Sequence, residues 1–171
     1  MGKINVLLVE DHTVVRQGLR RILEADPQVE IVGEVGDGRE AVHVAQRLAP
    51  NIAIVDISLP ALNGIEVTRQ LGKAAPMTKV LILSMHADEA YVRQSLKAGA
   101  KGYLLKDADD QDLLRAVTAI SGGGSYFSPR VSKIVLDGYL QDERSGLNDE
   151  LTVLSHRERE VLQLIAEGKS N

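Results

Sequence analysis

The sequence predicts an α/β fold: a doubly wound, five-stranded parallel sheet followed by a linker helix and a small all-α segment. Two observations carry this prediction. Short apolar runs alternate with helical patterns five times up to Ile120, and three of the runs are nearly continuous in Val, Ile and Leu, as strands covered on both faces are.

INVLLVE (Ile4 to Glu10) is the first such run, and a helical stretch begins near Thr13. VEIVGEV (Val29 to Val35) alternates apolar and polar residues, as an edge strand does. The next helix begins near Arg39, carries Ala41, Val42, Ala45 and Leu48 at helical spacing, and is closed by Pro50. IAIVD (Ile52 to Asp56) and KVLILS (Lys79 to Ser84) are the buried central strands, with a helical stretch from Gly64 between them. A helix from Glu89 places Val92 and Leu96 on one face and ends near Gly99; KGYLLK (Lys101 to Lys106) and a helix from Asp110 complete the pattern.

After Ile120 the pattern changes. SGGGSYFSPR is a turn-rich break, and Pro129 opens a short helix with Val131, Ile134, Val135 and Leu140 on one side. Gln141 to Glu150 is polar and reads as a tether. Beyond it, Ser155 and Glu158 form a capping box before Val161, Leu162, Ile165 and Ala166, with Gly168 as the stop. A lone helix of about a dozen residues is marginal in water. With nothing to pack on, this one is expected to be poorly ordered.

Composition narrows the function. Twenty basic against 24 acidic residues give a net charge of -4, so a nucleic-acid role needs a local basic patch, and the tail offers only His156, Arg157, Arg159 and Lys169. The absence of cysteine excludes disulfides, thiolate metal sites and thiol nucleophiles. No run is long enough to span a membrane, and MGKINVLLVEDH turns acidic too soon for a signal peptide. A cytoplasmic location, with no membrane partner, is the expectation.

A doubly wound sheet puts its site at the carboxyl ends of its strands. There the sequence places Glu10 and Asp11 after strand one, Asp56 after strand three, the Ser84 hydroxyl after strand four and Lys106 after strand five. Clustered carboxylates repel one another unless a cation sits among them, and hard oxygen ligands suit Mg²⁺. With a lysine and a hydroxyl opposite, these are the parts of a phosphoryl-transfer site in which Asp56 is the nucleophile and the product is a labile aspartyl phosphate. Each residue alone has a plainer role: Glu10 and Asp11 as caps, Asp56 as a turn residue, Lys106 as a solvated strand end. Their joint position favours the site.

LLVEDH, IVDISLPALNG, LILSMH and KGYLLK resemble the signature segments of response-regulator receiver domains, whose fold is flavodoxin-like. The resemblance implies that Asp56 is the phosphoacceptor and that Glu10, Asp11, Asp56 and the main-chain carbonyl of Ser58 bind the metal. It further implies that Ser84 is the switch hydroxyl, Lys106 the phosphate-pairing lysine and Tyr103 the aromatic that turns inward on activation. Pro60 and Gly64 match the loop after the acceptor; Asp107 departs from the proline many receivers have there. The tail, LTVLSHREREVLQLIAEGKSN, resembles the opening of a LuxR-type helix-turn-helix domain, and the pair is the NarL/FixJ arrangement.

The expected division is a receiver over 1–121, a linker with a short helix over 122–150 and the start of a truncated helix-turn-helix domain over 151–171. The implied function is transcription control, not enzymatic turnover. A sensor histidine kinase is the phosphoryl donor, and the phosphorylated protein pairs into a homodimer. Promoter DNA is a partner of the full-length protein but not of these 171 residues, which hold no recognition helix. An aspartyl-phosphate phosphatase or phosphotransferase is the alternative, yet such hydrolases normally carry a second Asp two residues after the nucleophile, where this chain has Ser58. A flavodoxin-like FMN carrier would need a phosphate-binding loop where Glu10 and Asp11 stand. His86, two residues past Ser84, is read as an exposed loop imidazole.

Overall fold

The computed structural model describes residues 2–144 together with Val161 and Ile165. Strands β1 (Ile4–Val9), β2 (Val29–Val35), β3 (Ile52–Asp56), β4 (Lys79–Ser84), β5 (Gly102–Leu105) and β6 (Tyr126–Phe127) form one sheet. Its order is β2-β1-β3-β4-β5-β6 and every neighbouring pair is parallel. Helices α1 (Thr13–Glu24), α2 (Gly38–Leu48), α3 (Gly64–Ala74), α4 (Glu89–Ala98) and α5 (Asp110–Ser121) alternate with the strands, and α6 (Pro129–Arg144) follows.

Alternation along the central strands divides the core between the two faces of the sheet. Val6, Leu8, Ile54, Leu81 and Leu104 pack with Leu23 of α1 and with Leu113, Val117 and Ile120 of α5. Leu7, Val9, Val55, Ile82 and Tyr103 pack with Ala41 of α2, Leu71 of α3, Leu96 of α4 and Val131 of α6. The order reverses between β1 and β3, so the crevice at their carboxyl ends is the topological switch point.

Side-chain caps fix several helix starts. Asp37 accepts from the backbone N–H groups of Arg39 and Glu40, Asn63 from that of Glu66 and Asp109 from that of Asp112. Gly64 marks a close approach: a Cβ there would lie 2.1 Å from the carbonyl oxygen of Asp56. Helix α3 therefore starts hard against the loop that leaves β3.

Three features differ from expectation. The sheet has six strands, because Tyr126 and Phe127 in the turn-rich break pair with Gly102 and Tyr103. Helix α6 runs on to Arg144, through the first residues of the expected tether, and its buried face is Val131, Val135 and Gly138, while Leu140 stays exposed. The rest of that tether lies outside the described residues. The tail helix was expected to have nothing to pack on, but Val161 is helical and fully buried in the core that includes α4 and α6, with Ile165 packed against it. The other tail residues lie outside the described set.

Candidate functional site

The β1 strand delivers Glu10 and Asp11 to the rim, β3 delivers Asp56 and β5 Lys106, and these four side chains come together there, while Ser84 ends the neighbouring strand β4. Lys106 is the hub. Its Nζ donates to Glu10 Oε2 at 2.8 Å and lies 3.3 Å from Asp56 Oδ2. Glu10 and Asp56 are both almost completely buried, with 2% and 3% of their surface exposed.

Burial pushes Glu10 up, but the hydrogen bonds from Lys106 and His12 outweigh it and hold the carboxyl below its usual value. Asp56 moves the other way. Burial and the charge of Glu10 raise it, over the opposing pull of Lys106 and a hydrogen bond from the Ser58 backbone N–H. Burial alone would lower Lys106; its hydrogen bond to Glu10 and the charges of Asp56 and Glu10 hold it above its usual value. One ammonium thus serves two buried carboxylates, and the Asp56 carboxylate is the under-compensated member.

Two oxygens show the same deficit directly. Asp56 Oδ2 and Asp11 Oδ1 are buried without a hydrogen bond, since Lys106 and His12 come within ion-pair distance of them but not in hydrogen-bond geometry. Ligand atoms of Glu10, Asp11, His12 and Asp56 lie within 4.8 Å of one another. A divalent cation fits these donors: it would satisfy both orphaned oxygens and offset the excess negative charge. Ser58 stands on the loop after β3, two residues past Asp56.

Ser84 Oγ accepts the backbone N–H of His86 at 3.0 Å, and Tyr103 donates its hydroxyl to the His86 carbonyl at 2.6 Å. Tyr103 is fully buried and points inward in this structure, where burial pushes its phenol up. His86 itself is exposed, as expected, but its ring stacks on Tyr91 with centroids 5.3 Å apart. Ser84, His86 and Tyr103 thereby form one connected unit at the mouth of β4.

Two residues of the site were not anticipated from sequence. Arg16 Nη1 donates to the Glu10 carbonyl at 2.6 Å and fixes the acidic turn from beneath. His12 places Nδ1 3.0 Å from both Glu10 Oε1 and Asp11 Oδ1. In sequence His12 is merely the residue ahead of α1, and only its place after two acidic residues hints at more.

The response regulator receiver domain profile matches residues 6–118. The chain belongs to the response regulators. Within that family it is similar to the transcriptional regulatory protein DegU of Brevibacillus brevis, at 38% identity over 99% of this chain and 78% of that one. Among solved structures it resembles a two-component response regulator of the LuxR family from Aurantimonas sp. SI85-9A1, with a TM-score of 0.78 and 32% identity over 81% of this chain and 99% of that one. It also resembles RcsB from Salmonella enterica serovar Typhimurium bound to promoter P1flhDC in the presence of phosphomimetic BeF3⁻. That match has a TM-score of 0.75 at 28% identity and covers 98% of this chain and 78% of that one. These relatives make this response regulator one of the NarL/FixJ type. No helix among its described residues is long and apolar enough to cross a membrane.

Proposed function

We propose that this response regulator is a cytoplasmic transcription regulator switched by phosphorylation of Asp56. Residues 1–121 form the phosphoacceptor domain, 122–150 the linker and 151–171 the start of a LuxR-type helix-turn-helix domain. The observation that carries the reading is the unequal sharing of Lys106, which leaves an orphaned, buried carboxylate oxygen on Asp56 beside two further acidic residues.

In the proposed reaction an Asp56 carboxylate oxygen attacks the phosphorus of a phosphohistidine on a sensor kinase. The P–N bond breaks, its electron pair stays with the leaving imidazole, and Asp56 becomes an acyl phosphate. Mg²⁺, held by Glu10, Asp11, Asp56 and the Ser58 main-chain carbonyl, would neutralise charge on the transferring group. Lys106 pairs with a phosphoryl oxygen once Asp56 has spent its charge, and the Ser84 hydroxyl turns toward another. Because Ser84 holds the His86 N–H and Tyr103 holds the His86 carbonyl, that turn reaches α4 through the same loop.

Phosphorylation is proposed to favour a homodimer. Promoter DNA is the proposed target of its helix-turn-helix domain. Phosphoryl uptake and loss at Asp56 are the only chemistry assigned, without turnover of a free substrate. Incubation with acetyl phosphate and Mg²⁺, followed by intact-mass measurement, should show one added phosphoryl group that is absent with EDTA or in Asp56→Asn. Uptake undiminished by EDTA would overturn the metal-dependent mechanism.

A further inference from the structure

Met85 takes no part in the mechanism above, yet the sheet carries it into the same row of side chains. Successive residues of a strand face opposite sides. Leu8 of β1, Ile54 of β3, Leu83 of β4 and Leu104 of β5 share the core on the α1 and α5 side. Two residues further along the same four segments stand Glu10, Asp56, Met85 and Lys106, so alternation puts all four on that side of the rim. For three of them the ion pairs of Lys106 with Glu10 and Asp56 show as much. Ser84, two residues after Ile82, belongs to the opposite side.

Strand order brings Met85 closer still. β4 lies between β3 and β5, so Lys106 crosses the end of β4 to reach Asp56. The backbone N–H of Lys106 donates to the Ser84 carbonyl at 2.9 Å, which continues the parallel ladder to the point where Met85 leaves β4. Met85 is 73% exposed: an apolar side chain open to solvent, next to an ammonium that serves two buried carboxylates. The chain has no cysteine, so its oxidisable sulfur is confined to three methionines. Met77 is 85% exposed too, but it stands in the turn before β4, at the other end of the sheet.

We propose that Met85 is an oxidation site through which hydrogen peroxide lowers phosphoryl uptake at Asp56. The thioether sulfur attacks one peroxide oxygen and the O–O bond breaks. The departing hydroxide takes the proton of the sulfur-bound hydroxyl and leaves as water, so sulfur gives up two electrons and Met85 becomes a sulfoxide. The new oxygen is a strong hydrogen-bond acceptor where the thioether was a weak one. It competes with Asp56 for Lys106 and turns a negative end toward the oxygens of the transferring phosphoryl group. The inference rests on the reading of Asp56 as phosphoacceptor and adds an oxidative input to that site. Reduction of the sulfoxide restores the thioether, so the input is reversible.

The test treats the full chain with hydrogen peroxide, removes the excess with catalase, and follows uptake from acetyl phosphate and Mg²⁺ alongside peptide mapping. Met85 and Met77 should each gain one oxygen at similar rates, as their exposure dictates. Wild type should then take up phosphate on the order of tenfold more slowly, and Met77→Leu should slow equally. Met85→Leu, compared with its own untreated sample, should keep its rate although Met77 is oxidised. Reductases for both sulfoxide epimers should restore uptake in the oxidised wild type. An unchanged rate with Met85 fully oxidised, Met85 resisting oxidation while Met77 reacts, or an equal loss in Met85→Leu would overturn the role of Met85 and leave the phosphoacceptor assignment standing. Untreated wild type that takes up no phosphate would overturn that assignment itself.

Discussion

Gly64→Ala links the packing of α3 to the chemistry of Asp56. A Cβ at position 64 would stand 2.1 Å from the Asp56 carbonyl oxygen and 2.8 Å from both its carbonyl carbon and the Cα of Ile57. All three atoms are backbone, so no side chain can swing aside; α3 must retreat or the acceptor loop must move by about 1 Å to restore ordinary contact. Overpacking of this kind costs about 1–3 kcal/mol, and the rigidity of the neighbours puts Gly64 at the upper end. The urea midpoint should drop by roughly 1 M. A shift of about 1 Å in a reacting group costs on the order of 100-fold in rate, so phosphoryl uptake from acetyl phosphate should fall by about that factor. Gly18→Ala is the control: nothing lies within 4 Å of its added Cβ, and mid-helix alanine should stabilise α1 by about 0.5–1 kcal/mol. Gly64→Ala with the stability and uptake rate of wild type would refute the reasoning.

Other substitutions probe the charges and the switch. Asp56 has its folded pKa raised above the ordinary 3.8, so its ionised form opposes folding at neutral pH and the opposition fades as pH falls through that raised value. Asp56→Asn should therefore melt higher than wild type at pH 7, with the gap closing toward pH 4; a lower melting point at pH 7 would count against it. Glu10 has the opposite sign: held below 4.5, it contributes stability at neutral pH that is lost on acidification, and Glu10→Gln should lower stability to urea at pH 7 by about 1 kcal/mol, a modest loss because Lys106 keeps Asp56 as a charged partner. Tyr126 is pushed up to about 12 by burial and by its hydrogen bond to Asp112, so its contribution is full below pH 10 and lost as pH rises through 12. Ultraviolet titration should show that late phenol, and Tyr126→Phe should remove it. Ser84→Ala should still take up phosphate while losing most of the phosphorylation-induced change in tyrosine fluorescence; a full change would break the proposed link through His86.

The strands and helices were legible where local pattern and tertiary need agree. β1, β3 and β4 show as Val, Ile and Leu runs because both of their faces are covered, and the helices starting near Gly64 and Asp110 follow them as the alternating pattern requires. β6 was not legible. Two residues carry no periodicity, and Tyr126 and Phe127 become a strand only by pairing with β5. The length of α6 was missed because its later residues carry few apolar anchors, and the burial of Val161 because a helix face says that it needs a partner but not which one.

For the site, the residue types were readable at the strand ends, but their coupling was not. Glu10 and Lys106 are 96 positions apart, and nothing local says that one lysine is shared unequally between two carboxylates. His12 was hidden for a similar reason. Its importance lies in which way the chain turns between β1 and α1, and a sequence pattern of this kind reports only that a helix is about to begin.

Borohydride reduction after phosphorylation tests most directly whether Asp56 carries the phosphoryl group. An acyl phosphate is reduced by borohydride to an alcohol, so a phosphorylated aspartate becomes homoserine at that position alone. Peptide mapping of the chain after acetyl phosphate, Mg²⁺ and borohydride should find homoserine at position 56 and aspartate at every other acidic position, Asp11 included. Homoserine at position 11 or elsewhere with Asp56 unmodified would contradict the assignment of the phosphoacceptor.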